Sequence, residues 1–133
     1  MHRKGFVVLT MASVLVAGTM LLAHHSAANY DISKSITLQG TVTEFKLANP
    51  HPSLYFKVKG DEEEWFGESA APPARWYNGG WRGNALKAGD EITITGAPTK
   101  DGRKMVRIRK IVTSAGKEWT EGAQGQPEGA QGQ

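Results

Sequence analysis

Apolar side chains recur at every second position in several short stretches of this chain, a period that suits β-strands with one buried face. Ile36, Leu38, Gly40 and Val42 alternate with Thr37, Gln39, Thr41 and Thr43. Leu54, Phe56 and Val58 alternate with Tyr55, Lys57 and Lys59, and Gly60-Asp61 then signals a turn. Trp65-Phe66 forms a short third strand. Ile92 and Ile94 alternate with Thr93 and Thr95, and Gly96 closes that strand. After a hairpin turn at Lys100-Asp101-Gly102, Val106 and Ile108 alternate with Arg107 and Arg109. A sixth short strand is expected near Trp119, reached through Ala115-Gly116. Gly40 inside the first strand predicts a bend or bulge of the kind that curls a sheet into a barrel.

Between the third and fourth strands, Ser69 is read as a helix cap and Pro72 or Pro73 as first-turn residues. Residues 74–77 then allow one or two turns before Gly79-Gly80. The expected architecture is all-β: a small five-stranded OB-like Greek-key barrel with a short helix between strands 3 and 4.

The start of the chain sets the expected compartment. His2, Arg3 and Lys4 precede an uncharged apolar stretch at 6–22, and polar residues resume after Ala23. This is the layout of a cleavable secretory signal. A membrane anchor is the alternative. The run of about 17 residues lies at the short edge of a bilayer span, and no basic cluster follows it. The expected organisation is a signal peptide at 1–23, a polar lead-in at 24–34, the barrel at 35–119 and a disordered tail at 120–133. In that tail, EGAQGQ occurs on both sides of Pro127. The expected location is periplasmic or secreted, as a monomer with no membrane anchor after cleavage.

The 133-residue chain has no cysteine, so the barrel must be held by its core, and no thiolate can serve as nucleophile or ligand. The formal charge of +3 falls to +1 once Arg3 and Lys4 leave with the signal, which gives no general attraction to polyanions.

Several short motifs occur in a fixed order: His24-His25-Ser26, Tyr30-Asp31, Gly40-Thr41-Val42, Asn49-Pro50-His51, Trp65 with Glu68, and Gly80-Trp81 followed by Leu86-Lys87-Ala88-Gly89-Asp90. This set resembles a family of small exported bacterial proteins classed as domain of unknown function 6152. Ala27 departs from the aromatic residue that the resemblance implies after His-His-Ser, and the repetitive tail lies outside the pattern. The resemblance implies fold and compartment and carries no assigned chemistry.

Three histidines remain after cleavage: His24, His25 and His51. A cut after Ala23 gives His24 a free α-amine that titrates near pH ~8 and can chelate together with its own imidazole. His25 adds a second imidazole, and His51 a third if the lead-in folds against the barrel. Such nitrogen donors favour Cu(II). A His-His start also binds copper adventitiously, and His51 in a Pro-flanked turn has a purely structural reading.

Glu68 is the expected orienting partner of a ligand histidine, and Trp76 and Tyr77 are the expected surface contact. Arg103, Lys104, Arg107, Arg109 and Lys110 crowd the fifth strand. They are read as charges protecting a sheet edge, not as a nucleic-acid face. No nucleophile elbow, phosphate loop, dinucleotide fingerprint or HExxH is present, so no enzyme is expected. The expectation is a binding module with an unidentified envelope ligand and copper as its cofactor. The metal-free alternative is a module that binds a protein or glycan in the barrel groove.

Overall fold

The computed structural model describes residues 28–122. The stretch read as a signal peptide, His24, His25 and residues 123–133 lie outside that range. The described chain forms β1 (Ile36–Lys46), β2 (Ser53–Val58), β3 (Glu64–Ser69), α1 (Pro73–Asn78), β4 (Glu91–Pro98), β5 (Met105–Thr113) and β6 (Glu118–Thr120). The sheet order is β3-β2-β1-β4-β5-β6, and a parallel pairing of β3 with β5 closes the first five strands into a barrel. This connectivity, with the helix between β3 and β4, is that of the OB fold.

β1 is longer than the period-two pattern indicated, because the alternation loses phase at Thr43. Val42 pairs with Phe56 and Glu44 with Tyr55, so Thr43 is an extra residue in the strand. Beyond it Phe45 packs against the core while Glu44 and Lys46 lie on the exposed side. Such a strand can serve two neighbours: Gly40 faces Val58 of β2 and Ile92 of β4. A Cβ on Gly40 would come within 2.7 Å of Phe56 Cδ2 and 2.9 Å of the Lys57 carbonyl oxygen, so the bend needs glycine.

β5 contains a second insertion. Ile108 pairs with Gly96 and Lys110 with Thr95, which leaves Arg109 as the extra residue. β5 is no sheet edge, as its charges had suggested. It bonds β4 on one side, and β3 and then β6 on the other. The cations in and just before it are held by partners within the chain. Arg103 pairs with Asp101, Lys104 with Asp61, Arg107 with Glu121 and Lys110 with Glu118.

Val42, Leu54, Phe56, Ile92, Ile94, Val106, Ile108 and Ile111 fill the barrel. α1 closes one end and presents Pro73 and Trp76 inward. Trp76 is fully buried, which corrects its reading as a surface contact. Its ring stacks on Trp119 with centroids 3.8 Å apart and meets Trp81 edge-on at 5.5 Å. Tyr77, the next residue of the helix, remains 44% exposed.

Ser69 does not cap the helix; Pro72 occupies that position and makes no side-chain bond. The buried Ser69 hydroxyl instead accepts the Trp76 indole N–H at 3.1 Å and the Ala71 amide at 3.1 Å. One serine thus ties β3 to the plug.

The folded unit also begins earlier than the expected boundary at residue 35. Tyr30 is only 4% exposed and forms an antiparallel bridge with Thr99. β6 carries the fold to Thr120, one residue past the expected end.

Gly96 gives a direct test of barrel closure. A Cβ there would collide with the Arg107 carbonyl oxygen and stand 2.7 Å from Val106 Cγ2. Gly96→Ala is expected to cost about 1–3 kcal/mol through overpacking. Urea denaturation of variant and wild type measures it; an unchanged midpoint would contradict this packing.

Candidate ligand-binding face

The strand registers set two rows of side chains across the outside of the barrel. Tyr55 of β2, Phe66 of β3 and Met105 of β5 form one row; Ser53, Glu68 and Arg107 form the other. Because successive strand residues point to opposite faces, the intervening Leu54, Gly67 and Val106 lie on the core side. The Tyr55 and Phe66 rings meet at 5.1 Å with a tilt of 52°. Lys46 places its ammonium 5.7 Å from the Tyr55 ring centre and pairs with Glu44 at 3.2 Å. The face therefore combines a half-buried aromatic pair with charges of both signs, an arrangement suited to a flat ligand bearing polar groups.

The lead-in is strapped beside this face. Asp31 donates its amide to the Pro98 carbonyl at 2.8 Å, and Lys100 donates to the Asn29 carbonyl at 2.7 Å. The guanidinium of Arg109, the extra residue of β5, donates to the carbonyls of Ile32 at 2.6 Å and Lys34 at 3.0 Å. The Tyr30 hydroxyl points to Glu68 Oε2 at 3.5 Å. Burial pushes this hydroxyl up to about 12, and the charge and hydrogen bond of Glu68 add to the rise against the opposing Arg103 and Arg107.

Glu68 thus meets the lead-in and has Arg107 beside it in register. His51 is exposed, next to the buried Pro52, whose carbonyl accepts the Ser69 amide at 2.9 Å. The pairing of Ser53 with Glu68 puts the His51 turn at the Glu68 end of the face. Of the expected site residues, His51 and Glu68 share this end, Trp76 is in the core, Tyr77 lies on the outer side of α1, and His24 and His25 lie outside the described residues. Among the described residues no three His, Cys, Asp or Glu side chains gather closely enough to hold a metal. No helix among them is long and apolar enough to cross a membrane.

An open groove of about 750 Å³ lies elsewhere, lined by Gln39, Thr41, Lys57, Lys59, Glu91 and Thr93 among others. It contains none of the expected site residues. The aromatic row and the Arg109 strap were missed in the sequence. Tyr55 and Phe66 had a usable signal as large apolar residues on the outward phase of alternating strands. Arg109 was hidden because the strand insertion shifts it out of register.

These features define the chain as an OB-type barrel with a strapped N-terminal segment. It belongs to the family of unknown function (DUF6152), whose model matches residues 11–107. The family resemblance drawn from the ordered motifs is thereby borne out. No curated protein matches. Among solved structures, the chain is similar to the crystal structure of a tRNA fluorescent labeling enzyme, with 19% identity over 62% of this chain and 18% of that one, at a TM-score of 0.42. It is also similar to the crystal structure of yeast Stn1 and Ten1, with 10% identity over 74% of this chain and 55% of that one, at a TM-score of 0.42. In both cases this chain spans less than two thirds of the matched chain. The OB assignment rests on strand order and on the β3–β5 closure.

The Tyr30 hydroxyl yields a pH prediction. A folded-state value raised from 10.0 to about 12 means that the neutral form is favoured on folding. Its contribution to stability is complete below about 10 and is lost as pH rises towards 12. The stability advantage of wild type over Tyr30→Phe should shrink across that window in paired denaturation curves. A constant difference would mean that the buried phenol does not titrate with folding.

Proposed function

We propose that the mature chain is an exported OB-type binding module, periplasmic or secreted, that holds Cu(II) through His24 and His25 with His51. The observation that carries this reading is the strap. Tyr30 is anchored with its hydroxyl at Glu68, and Glu68 pairs with Ser53, two residues beyond His51. His25 precedes Tyr30 by five residues, which span at most about 17 Å when extended. The strap therefore restricts where the His-His start can go and raises its effective concentration near His51. Imidazole and amine nitrogens are a donor set for Cu(II). Binding rather than catalysis is proposed because the chemistry-bearing residues amount to ligand nitrogens and one carboxylate engaged by Tyr30.

The metal-free reading is favoured by a separate observation, the Tyr55–Phe66 pair with Lys46 above it. From the sequence, that reading places a protein or glycan in the barrel groove; this pair supports the outer face as its binding surface instead. Nucleic acid is the weaker ligand for it, because four cations in and just before β5 are already paired with acidic side chains.

The deciding experiment is the intact mass of the exported protein, followed by Cu(II) titration against a competing chelator. The expected result is a chain starting at His24 that binds one Cu(II) more tightly than a free His-His peptide, with that excess lost in His51→Ala. A start elsewhere, or affinity equal to the peptide, would end the copper reading. Weakened ligand capture by Tyr55→Ala with copper affinity unchanged would support the outer face instead.

A further inference from the structure

The stretch 69–89 contains no acidic residue but carries Arg75, Arg82 and Lys87. It builds α1 and the loop that covers one barrel end. Arg82 Nη1 donates to the Tyr77 carbonyl at 2.9 Å and the Trp81 carbonyl at 2.8 Å, and its guanidinium lies 5.4 Å from the Tyr77 ring centre. Lys117, from the turn before β6, donates to the Gly80 carbonyl at 3.1 Å and sits 4.9 Å from the Trp81 ring centre. These bonds satisfy the Tyr77 carbonyl of α1 and the Gly80 and Trp81 carbonyls of the turn that follows it. They leave the other guanidinium nitrogens and two of the three ammonium protons without those partners.

Arg75, Arg82 and Lys117 are all exposed and form no ion pair among the described residues, in contrast to the paired cations in and just before β5. Tyr77, whose ring centre lies 5.4 Å from the Arg82 guanidinium, is one of the two exposed large hydrophobic side chains among the described residues. Satisfying the carbonyls at the end of α1 and in the following turn accounts for Arg82 and Lys117 but not for Arg75 or the exposed ring.

We propose that this cap docks on the phosphate head groups of an anionic phospholipid bilayer. Cations that keep free donors match phosphate, and a tyrosine with an apolar body and polar tip suits the interfacial layer. The cap contributes no residue to the open groove on the barrel, so the two surfaces are separate. The proposal is independent of copper and concerns exposed side chains of α1 and of the turns beside it.

The test is co-sedimentation of the metal-free mature chain with vesicles of phosphatidylglycerol in phosphatidylcholine, compared with phosphatidylcholine alone. Wild type should bind only the anionic vesicles, and less in high salt. Arg75→Gln/Arg82→Gln should weaken binding on the order of fivefold for each cation removed. Because Arg82 also caps carbonyls, Arg75→Gln/Tyr77→Ser provides a variant that removes no side-chain hydrogen bond to the barrel, and it should weaken binding too. Lys57→Gln/Lys59→Gln, with the same charge loss away from the cap, should retain it. Equal binding to both vesicle types, equal loss in the Lys57/Lys59 control, or undiminished binding by Arg75→Gln/Tyr77→Ser would overturn the proposal. Binding to dextran sulfate without binding to vesicles would overturn it as well.

Discussion

The parallel pairing of β3 with β5 is the contact on which the rest of this molecule depends. It is the only parallel pairing among the described strands, and it turns an antiparallel sheet into a closed barrel. It fixes which side chains become neighbours: Phe66 beside Met105, and Glu68 beside Arg107. It can form because Gly67 lets Ile108 and Ile94 approach; a Cβ there would stand 3.2 Å from the Ile108 side chain. Closure also leaves one barrel end to be filled, and the Trp76–Trp119 stack fills it from α1 and β6. That plug hangs from the end of β3 through Ser69, so barrel and cap are mechanically one unit.

Two inserted residues, Thr43 in β1 and Arg109 in β5, give the barrel features that regular strands would lack. Each loses its place in the ladder and gains a distant partner. The Thr43 hydroxyl donates to Glu64 Oε2 at 2.6 Å, and Arg109 grips the lead-in through two backbone carbonyls. Bulges commonly redirect a side chain in this way. The Arg109 grip is a charge-assisted bond to main-chain oxygens, so it does not depend on which side chains the lead-in carries. This fits a segment in which Ile32 is 63% exposed while Tyr30 alone is driven deep into the fold.

The strand order and the position of the helix were legible because alternation and glycine or proline punctuation are local signals. Val42, Leu54, Phe56, Ile92, Ile94, Val106 and Ile108 all occupy the core side that their period assigned. What escaped the sequence depends on contacts distant along the chain. Ser69 has the chemistry of a helix cap, yet its hydroxyl is taken by an indole seven residues away. Trp76 sits next to glycines that suggest a surface loop, yet the barrel end needs a large ring. The basic run of β5 resembles an edge until its partners, Asp61, Glu118 and Glu121, are brought up from other turns and strands. Of the candidate site, the shared location of His51 and Glu68 follows from register, while the aromatic row needed the β2–β3 pairing to be seen.

The grip of Arg109 has a consequence for how this domain is joined to anything else. Its side chain holds Ile32 and Lys34, and its own carbonyl accepts the amide of Glu121 at 2.7 Å. Entry and exit of the folded chain are therefore neighbours at a single residue of β5. A domain with adjacent ends can be inserted into the loop of another protein with little distortion of its host. Force applied through the two ends would not stretch the barrel along its length. It would pull the lead-in from Pro98–Lys100 and the Arg109 side chain, and β6 from β5, drawing Tyr30 and Trp119 out of the fold first.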